Sequence, residues 1–460
     1  MKRLLTVAAC LAGSLAVASL GPRYGGTLRV GVPGAPGDHR PAAAPGVGAR
    51  LVQRSIHETL LGVGEEGLPQ PRLVTGWASA AQGRQWTLRL GDGLLFHDGQ
   101  SITAEAVVRS LRGFLRDEAS SAAGAFARLL DGGADFRSGR SEALPGIEAN
   151  DGHVVLRLLR RHNRPFAPLA SPAAGVVSDT GAGCGPFVPT APRAGSMGLQ
   201  LSVFQSHWGG RAFLDSLLFR FDSPAALAAE RQAGRIDVAP GSGSGPHVAT
   251  LLLQLDPRHP VLAAEHARRA IANSIDRAGL SRFVPGSDPS APLLPPRLVP
   301  PLARPNTGSG GARFAGRLDF AVDRAVPAAA SQRVVAHLSA LGFEVQVRPV
   351  PSHAVWKSPG DVRLILWVPE VAEAELALRE LAAHTLTPEG FDALLDAAST
   401  EADEDLRRSL LHRAEQDLAG RHELVPLLGM SVAFTSGPGV HGLRVGFGGA
   451  LRLEDAWTER

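Results

Sequence analysis

The stretch WTLRLGDGLLFHDGQSITAEAVVRSL (86–111) contains a strand, two turns and the start of a helix. Apolar and polar residues alternate from Trp86 to Leu90, which predicts a half-buried strand. His97, Asp98 and Gly99 are typical of a turn, because Asp can bond to its own backbone and Gly can adopt a positive φ. Thr103 is then the predicted N-cap of a helix with a regular apolar face. This explains the His–Asp pair as turn residues, with a catalytic or metal-binding pair as the alternative.

The bulk composition is that of a globular protein with a sizeable core. The chain has 460 residues, of which 44% are hydrophobic and 20% are charged, a length that suggests two large lobes or about three units. The formal net charge is only +3, and Lys2 and Lys357 are the only lysines, so arginine supplies nearly all the positive charge. No basic stripe interleaved with aromatic residues is present, which excludes a nucleic-acid binder.

The first residues have the pattern of an export signal. Lys2 and Arg3 precede a short apolar run, and Ala16-Val17-Ala18 matches an A-x-A cleavage site. We therefore expect residues 1–21 to be a signal peptide and the mature protein to be periplasmic or extracytoplasmic. An uncleaved anchor is one alternative, and a lipoprotein attached through Cys10 of VAAC is another. After A-x-A cleavage only Cys184 remains, so no disulfide within the chain can form.

The order of predicted elements indicates an α/β fold in two lobes. One strand-helix-strand pattern covers 216–239, and a second covers 317–350. Residues 49–63 and 262–280 have helical spacing. The chain is expected to cross between the lobes near 251–255 and again near 423–429.

Motifs of enzymes and cofactor sites are absent or in the wrong context. The match to G-x-G-x-x-G at 62–67 follows a predicted helix and carries Glu65 and Glu66, which would repel phosphate, so we interpret it as a turn. H-E-x-x-H, paired C-x-x-C and G-x-S-x-G do not occur. We therefore expect no catalytic residues, no metal site and no cofactor.

The stretch 86–111 also resembles the signature of the family 5 extracellular solute-binding proteins, the dipeptide, oligopeptide and nickel-type receptors of ABC importers. The residues that agree with this signature are Trp86, Leu88, Arg89, Phe96, His97, Asp98, Gly99, Thr103, Ala104, Glu105 and Val107.

Further segments resemble the same family in the same order along residues 24–457. They include IHETLLGVGEEGLPQPRLVTGW (56–77), GAGCGPF (181–187), SHWGGRAFLDSLLFRF (206–221) and ARRAIANSIDR (267–277). Cys184 stands where the family usually has Thr.

The resemblance implies a periplasmic-binding-protein-like (type II) α/β fold, with two lobes joined by hinge strands. We expect lobe I at 22–250, with 425–460 returning to it, and lobe II at 251–424. The implied function is that of a monomeric importer component, not an enzyme, which captures a peptide or similar small solute between the lobes and delivers it to an ABC permease in the membrane.

Candidate ligand contacts follow from position in such a fold. They are Val32, Pro33 and Gly34 after the first strand, and Trp367, Val368 and Glu370 after the strand LILW. Peptide-binding members of the family carry an Asp near the second group that pairs with the ligand's α-amine. Glu370 could substitute for it, and a solvated Glu at a helix start is the alternative.

Two departures from the family leave other functions open. ARPNTGSGGARF (303–314) stands where the family normally has a Y-D-P-x-x-A-x-x-L-L helix, and PEVAEAE (369–375) replaces an Asp-rich stretch. A trimmed fold that serves as a non-transport interaction scaffold is the first alternative. A secreted hydrolase using His97 and Asp98 is the second.

Overall fold

A computed structural model describes residues 21–34, 39–41, 47–64, 67–190, 198–241, 247–284, 286–290, 292–299, 313–449 and 451–459. The predicted signal peptide and Cys10 lie outside the described residues, apart from Gly21. Among the residues described, no helix is both long and apolar enough to cross a bilayer.

The described strands are short to medium in length and are distributed along the chain. In chain order they are β1 Thr27–Pro33, β2 Leu61–Val63, β3 Pro69–Pro71, β4 Val74–Ala80, β5 Gln85–Leu90, β6 Ile147–Asn150, β7 His153–Arg157, β8 Phe187–Pro189, β9 Leu199–Val203, β10 Ser216–Asp222, β11 Val238–Gly241, β12 His247–Leu255, β13 Ser287–Asp288, β14 Gly316–Asp323, β15 Phe343–Val350, β16 Val362–Trp367, β17 Leu424–Ser431, β18 Ala433–Ser436, β19 Val440–His441, β20 Arg444–Val445, β21 Leu451–Arg452 and β22 Trp457–Thr458.

The described α-helices alternate with these strands. They are α1 Val47–Ile56, α2 Ala104–Leu115, α3 Ser121–Leu129, α4 Gly133–Arg137, α5 Pro224–Gln232, α6 Glu265–Ser274, α7 Arg277–Ser281, α8 Ala328–Ala340, α9 Ala374–Ala382, α10 Phe391–Thr400 and α11 Glu404–Gly420.

The first six-stranded sheet has the order β18-β11-β1-β10-β9-β8. Strand β1 lies parallel to β10 along its whole length and parallel to β11 on the other side. Helix α5 connects β10 to β11, as the sequence predicted. Ser223 caps α5 by accepting a hydrogen bond from the amide of Ala226 at 3.3 Å, and Pro224 is its first residue.

The second six-stranded sheet has the order β13-β17-β12-β16-β14-β15. Strand β12 lies antiparallel to both β16 and β17, and β14 lies parallel to β15 and β16. Helix α8 makes the connection between β14 and β15, which confirms the second predicted strand-helix-strand unit. Buried side chains pack in two clusters against this sheet. The central strands β12 and β16 are accordingly buried along nearly their whole length, whereas the edge strand β15 is mostly exposed.

A four-stranded antiparallel sheet, β4-β5-β7-β6, belongs to a third cluster of buried residues. Helices α2 and α3 cover it with Val107, Leu111, Phe114 and Phe126, all buried. The alternation seen in the sequence of β5 follows from this packing, because Leu88 is fully buried and its neighbour Arg89 is exposed.

The chain passes between the six-stranded sheets on either side of β12 and β17. Strand β11 ends in the first sheet at Gly241 and β12 begins in the second at His247; β17 ends in the second at Ser431 and β18 begins in the first at Ala433. Of the expected crossing points, 251–255 falls inside β12, and 423–429 falls inside β17 except for its first residue, Glu423. The lobe boundaries at 250/251 and 424/425 remain a prediction.

One predicted helix is shorter than its apolar spacing indicates. Residues 49–63 were expected to be helical throughout, but α1 ends at Ile56, and Leu61–Val63 form β2, which pairs with β3. The pairing buries Leu60 and Leu61 in the cluster below the four-stranded sheet. Tertiary packing therefore overrides the helical spacing of these leucines.

Candidate functional site

The His97–Asp98 turn is a structural connection between α2 and the segment 178–185. Asp98 accepts hydrogen bonds from the hydroxyls of Ser178 at 2.7 Å and Thr180 at 2.8 Å, and these bonds hold its pKa below the usual value. His97 Nε2 lies 2.9 Å from the carbonyl oxygen of Gly185, and burial lowers its pKa. Each side chain thus has its own structural partners.

Cys184, in the same segment, is a packed core residue. Its side chain is buried, and its thiol donates to the carbonyl of Val176 at 3.5 Å. Burial raises the pKa of this thiol, so it is not a reactive nucleophile. Among the described residues, no group of three or more His, Cys, Asp or Glu side chains is arranged to hold a metal ion.

The first predicted contact group lies at the end of β1. Val32 is buried in the core of the first sheet, whereas Pro33 and Gly34 are exposed. Gly34 has a φ of 106°, and its amide donates to the carbonyl of Asp222 at 3.0 Å. Helix α1 packs against the end of β1. Its residue Gly48 lies so close to the side chain of Val32 that a Cβ atom at position 48 would not fit.

The second predicted contact group lies at the end of β16, on the second sheet. Trp367 is 3% exposed and packs in the core, and its indole donates to Glu380 Oε1 at 2.8 Å. Val368 and Glu370 are half-buried. Glu370 is therefore not the solvated helix-start residue that the sequence offered as an alternative.

Arg50 of α1 joins the two groups. Its guanidinium is buried and donates to the carbonyl oxygens of Pro369 at 3.0 Å and Val368 at 3.1 Å. Since Arg50 lies two residues after Gly48, α1 brings the end of β1 and the end of β16 to the same place. We name this region the cleft floor, defined by Arg50, Val368, Pro369 and Glu370 together with the surrounding side chains of Ser120, Ser121, Ser171 and Glu380.

Three serines hold the carboxylate of Glu370. Oε1 accepts from the hydroxyls of Ser120 at 2.6 Å and Ser171 at 2.8 Å, while Oε2 accepts from the hydroxyl of Ser121 at 2.9 Å and the amide of Ala122 at 3.1 Å. Ser120 is the N-cap of α3, so the carboxylate lies at the positive end of that helix. The contact links the second sheet's side of the molecule to the helices on the four-stranded sheet.

Glu380 of α9 is the second carboxylate at the cleft floor. The Ser121 hydroxyl lies 2.9 Å from Glu380 Oε2 and 2.9 Å from Glu370 Oε2, and its single proton serves one of the two carboxylates at a time. Burial, together with the negative charge of Glu370, raises the pKa of Glu380 to about 7. The cleft floor therefore holds two neighbouring carboxylates, one of which, Glu380, titrates near neutral pH.

A second row of contacts across the cleft continues toward α10 and α11. Asn163 donates to the carbonyls of Thr400 at 2.7 Å and Glu401 at 3.0 Å, and Arg164 pairs with Glu404 at 2.6 Å. Arg160 pairs with Asp396 in the same row. The two sides are thus in direct contact over a considerable length, as in a closed two-lobed protein.

A separate small cavity lies behind α1. It has a volume of about 30 Å³ and is lined by residues that include Arg54, Glu58, Arg72 and Arg452. Burial and the neighbouring arginines lower the pKa of Arg54 to about 10. The cavity has room for an ordered water or two, not for a peptide.

A comparison with protein families resolves what kind of molecule this is. Residues 69–310 match the middle region of the bacterial extracellular solute-binding proteins, family 5. The chain belongs to this family. No curated protein sequence matches the chain. The resemblance predicted from residues 86–111 is therefore confirmed.

Solved structures similar to this solute-binding protein show the two-lobed fold over nearly its whole length. The periplasmic binding protein DppA from Helicobacter pylori, in complex with the peptide STSA, is 18% identical with a TM-score of 0.75, covering 95% of this chain and 99% of that one. AppA from Bacillus subtilis, in complex with a nonapeptide, is 14% identical with a TM-score of 0.79, covering 95% and 100%. The predicted α/β, two-lobed fold is confirmed.

A third similar structure has a ligand of a different class. The binding protein AgaA from A. tumefaciens R10, in complex with agropinic acid, is 17% identical with a TM-score of 0.78, covering 95% of this chain and 99% of that one. The shared fold thus accommodates both peptides and a small acid in its solved examples.

Sequence reasoning missed most of the cleft floor. Arg50, Ser120, Ser121, Ser171 and Glu380 were not singled out, although each contacts the predicted residues. The signal at Ser120 was a helix N-cap pattern, which indicates a local role only. Nothing in the pattern of the other four indicates a partner far along the chain.

Proposed function

We propose that this solute-binding protein is the extracytoplasmic substrate-binding component of an ABC importer. It takes a peptide or similar small solute into the cleft between its lobes and delivers it to a membrane permease. The ligand site lies between Val32, Pro33 and Gly34 on one side and Trp367, Val368 and Glu370 on the other. The protein acts as a monomer, needs no cofactor and catalyses no reaction.

The observation that carries this proposal is the cleft floor itself. Arg50 and the three serines on one side make hydrogen bonds to Val368, Pro369 and Glu370 on the other. We infer that opening the cleft breaks these contacts, because they join groups on its two sides. A ligand that bridges the lobes adds to them and so favours closure by its differential affinity for the closed state.

Export is part of the proposal. Residues 1–21 act as a signal peptide that is removed after Ala18 or close to it, and lipid attachment at Cys10 is the alternative route to the outside. Both outcomes place the mature protein where solutes arrive before they cross the membrane. N-terminal sequencing and mass measurement of the exported protein distinguish the two.

Thermal unfolding of the mature protein tests the function. The panel consists of di-, tri- and oligopeptides, amino acids, sugars, opines and nickel chelates. A micromolar receptor binds with about 8 kcal/mol, and a ligand at about 100 times its Kd adds about 2.7 kcal/mol to the stability. We expect one chemical class to raise the melting temperature in a saturable manner.

The second candidate function is a non-transport interaction scaffold. The observation that favours it is the cleft floor again, because the protein's own Glu370 already fills the donors there. A cooperative melting curve that no panel compound shifts would support the scaffold and contradict the importer component.

A further inference from the structure

The hydrogen-bond donors of the cleft floor all lie on one side. Arg50 comes from α1, Ser120, Ser121 and the amide of Ala122 from the start of α3, and Ser171 from a separate turn. Their acceptors are two backbone carbonyls and one carboxylate of the segment 368–370. The side that carries α1 and α3 therefore presents a receptor for an anion, and 368–370 occupies it.

The donor groups are buried, so they depend on an acceptor from elsewhere. Ser120 and Ser171 are each 1% exposed, and Arg50 is 5% exposed. The N-terminus of α3 contributes partial positive charge at this place. Arg137 lies behind it and donates a hydrogen bond to the carbonyl of Ser120 at 3.3 Å. Positive potential and converging hydroxyls favour a carboxylate over a neutral or cationic group.

Glu370 has no capacity left for a ligand's ammonium group. A carboxylate offers about four acceptor positions, and four donor groups surround Glu370 within hydrogen-bond distance, two at each oxygen, with Ser121 shared with Glu380. An ammonium could reach it only by displacing a serine or the amide of Ala122. Glu370 is thus better explained as an occupant of the receptor than as the anchor of a peptide's amino terminus.

The neighbouring Glu380 makes this occupancy easy to reverse. In this arrangement the buried Glu380 lies beside Glu370, and the Ser121 hydroxyl is shared between them. Two carboxylates this close repel each other electrostatically when both are ionised. Withdrawal of 368–370 relieves this opposition, which lowers the cost of exchanging the internal carboxylate for an external one.

Resting on the proposed function, we infer that Arg50, Ser120, Ser121, Ala122 and Ser171 form a carboxylate-binding subsite that anchors an acidic solute, and that Val368-Pro369-Glu370 fills it until such a solute displaces it. The solute class is one that carries a carboxylate beside backbone-like carbonyls, such as an acidic peptide. Glu370 then borders the ligand site and competes with the carboxylate of the ligand for the same donors.

Calorimetric titration with two blocked tripeptides tests the inference. The probes are acetyl-Val-Pro-Glu-amide, which copies residues 368–370, and acetyl-Val-Pro-Gln-amide, which lacks only the charge. We expect Glu370→Ala to bind the acidic probe at least tenfold more tightly than the neutral probe, and at least tenfold more tightly than the wild type binds the acidic probe. Tenfold corresponds to about 1.4 kcal/mol.

A serine pair supplies the matched control. In the Glu370→Ala background, Ser121→Ala is expected to weaken binding of the acidic probe at least tenfold. Ser138→Ala, at an exposed hydroxyl that bonds only to the carbonyl of Asp135, is expected to leave it unchanged. Glu370→Gln allows the same comparison if the alanine variant does not melt cooperatively. The glutamine side chain keeps only one acceptor oxygen and no charge, so it should compete less well for the donors.

The outcomes separate this inference from the proposed function. Equal binding of the two probes to the Glu370 variants, or no effect of Ser121→Ala, overturns the carboxylate subsite even if the panel identifies another solute. Tight binding of the acidic probe to the variants supports the subsite even if no panel compound shifts the wild type.

Discussion

The Ser120 hydroxyl donates to the Glu370 carboxylate at 2.6 Å, although 250 positions separate the two residues in the chain. Ser120 caps α3, and Glu370 follows the last residue of β16 by three positions. One hydrogen bond therefore joins a helix start on one side of the cleft to a strand end on the other. The stability of the closed form depends on such bonds, and so does its response to pH.

Glu380→Gln should change how stability depends on pH. The fold raises the pKa of Glu380 to about 7 by burial and by the charge of Glu370. A raised carboxyl pKa contributes stability that is fully present below the unfolded value, about 4.5, and is lost as the pH rises through 7. The variant has no carboxyl to titrate at this position. Between pH 4.5 and pH 8 its stability relative to the wild type should therefore increase by on the order of 3 kcal/mol.

Urea unfolding at both pH values measures this difference. Glu118→Gln, at an exposed glutamate on the loop before α3, is the control and should follow the wild type at both. Parallel stability curves for Glu380→Gln and the wild type would contradict the raised pKa.

His384 should have the opposite effect, on the acid side. It stacks on Trp356 with 4.1 Å between ring centroids, and burial, aided by Arg363, lowers its pKa to about 4. A lowered histidine pKa gives stability that is present above about 6.5 and is lost as the pH falls toward 4. His384→Phe keeps the stacking but cannot take up a proton. Between pH 7 and pH 4 its free energy of unfolding should therefore fall by on the order of 3 kcal/mol less than that of the wild type.

Denaturant midpoints across this pH range test the His384 prediction. His266→Phe, at an exposed position on α6, serves as the comparison and should not protect against acid. If both variants lose stability as the wild type does, His384 is not held neutral by its surroundings.

Glu58 should be a major contributor to stability through Arg72. Arg72 donates to both its oxygens, at 3.1 and 2.9 Å, the Trp208 indole donates at 3.3 Å, and the nearby charges lower the pKa of the buried Glu58 to about 2. Glu58→Gln leaves Arg72 poorly compensated and should cost about 3–5 kcal/mol.

A second partner of the same arginine provides the control for Glu58. Glu454 lies 3.5 Å from Arg72 and is 24% exposed, so Glu454→Gln should cost about 1 kcal/mol or less. Equal losses in the two variants, measured by denaturant unfolding, would show that burial does not distinguish the pairs.

His97→Ala separates a structural role from a hydrolytic one. The ring contacts the Gly185 carbonyl and lies edge-on to Phe204 with 4.9 Å between centroids. Loss of both contacts should cost about 1–3 kcal/mol. The wild type should show no hydrolysis of ester or peptide substrates above background. A hydrolytic activity that His97→Ala removes without lowering stability would favour the hydrolase.

Local features were predictable from the sequence because their partners are close along the chain. Thr103 accepts from the amide of Ala106 at 3.3 Å as the N-cap pattern predicts, and the two strand-helix-strand units follow from hydrophobic spacing. The end of α1 at Ile56 was not predictable, because the pairing of β2 with β3 decides it.

The cleft floor was the least predictable part for the same reason. Its decisive bonds connect Glu370 to Ser171 and Ser120, which lie 199 and 250 positions away. Serines before a helix indicate a cap, and a glutamate near a helix start indicates solvent. Only the arrangement of the two sheets brings these groups together, so position in the family pattern identified Glu370 but not its partners.

The most direct test of solute capture is equilibrium dialysis of the mature wild-type protein against a defined mixture of peptides and small organic acids. Mass spectrometry then compares the compounds on the two sides of the membrane. We expect a subset of the compounds, rich in carboxylates, to be enriched on the protein side and released on unfolding. Equal concentrations of every compound on both sides, with protein that remains folded, would contradict it.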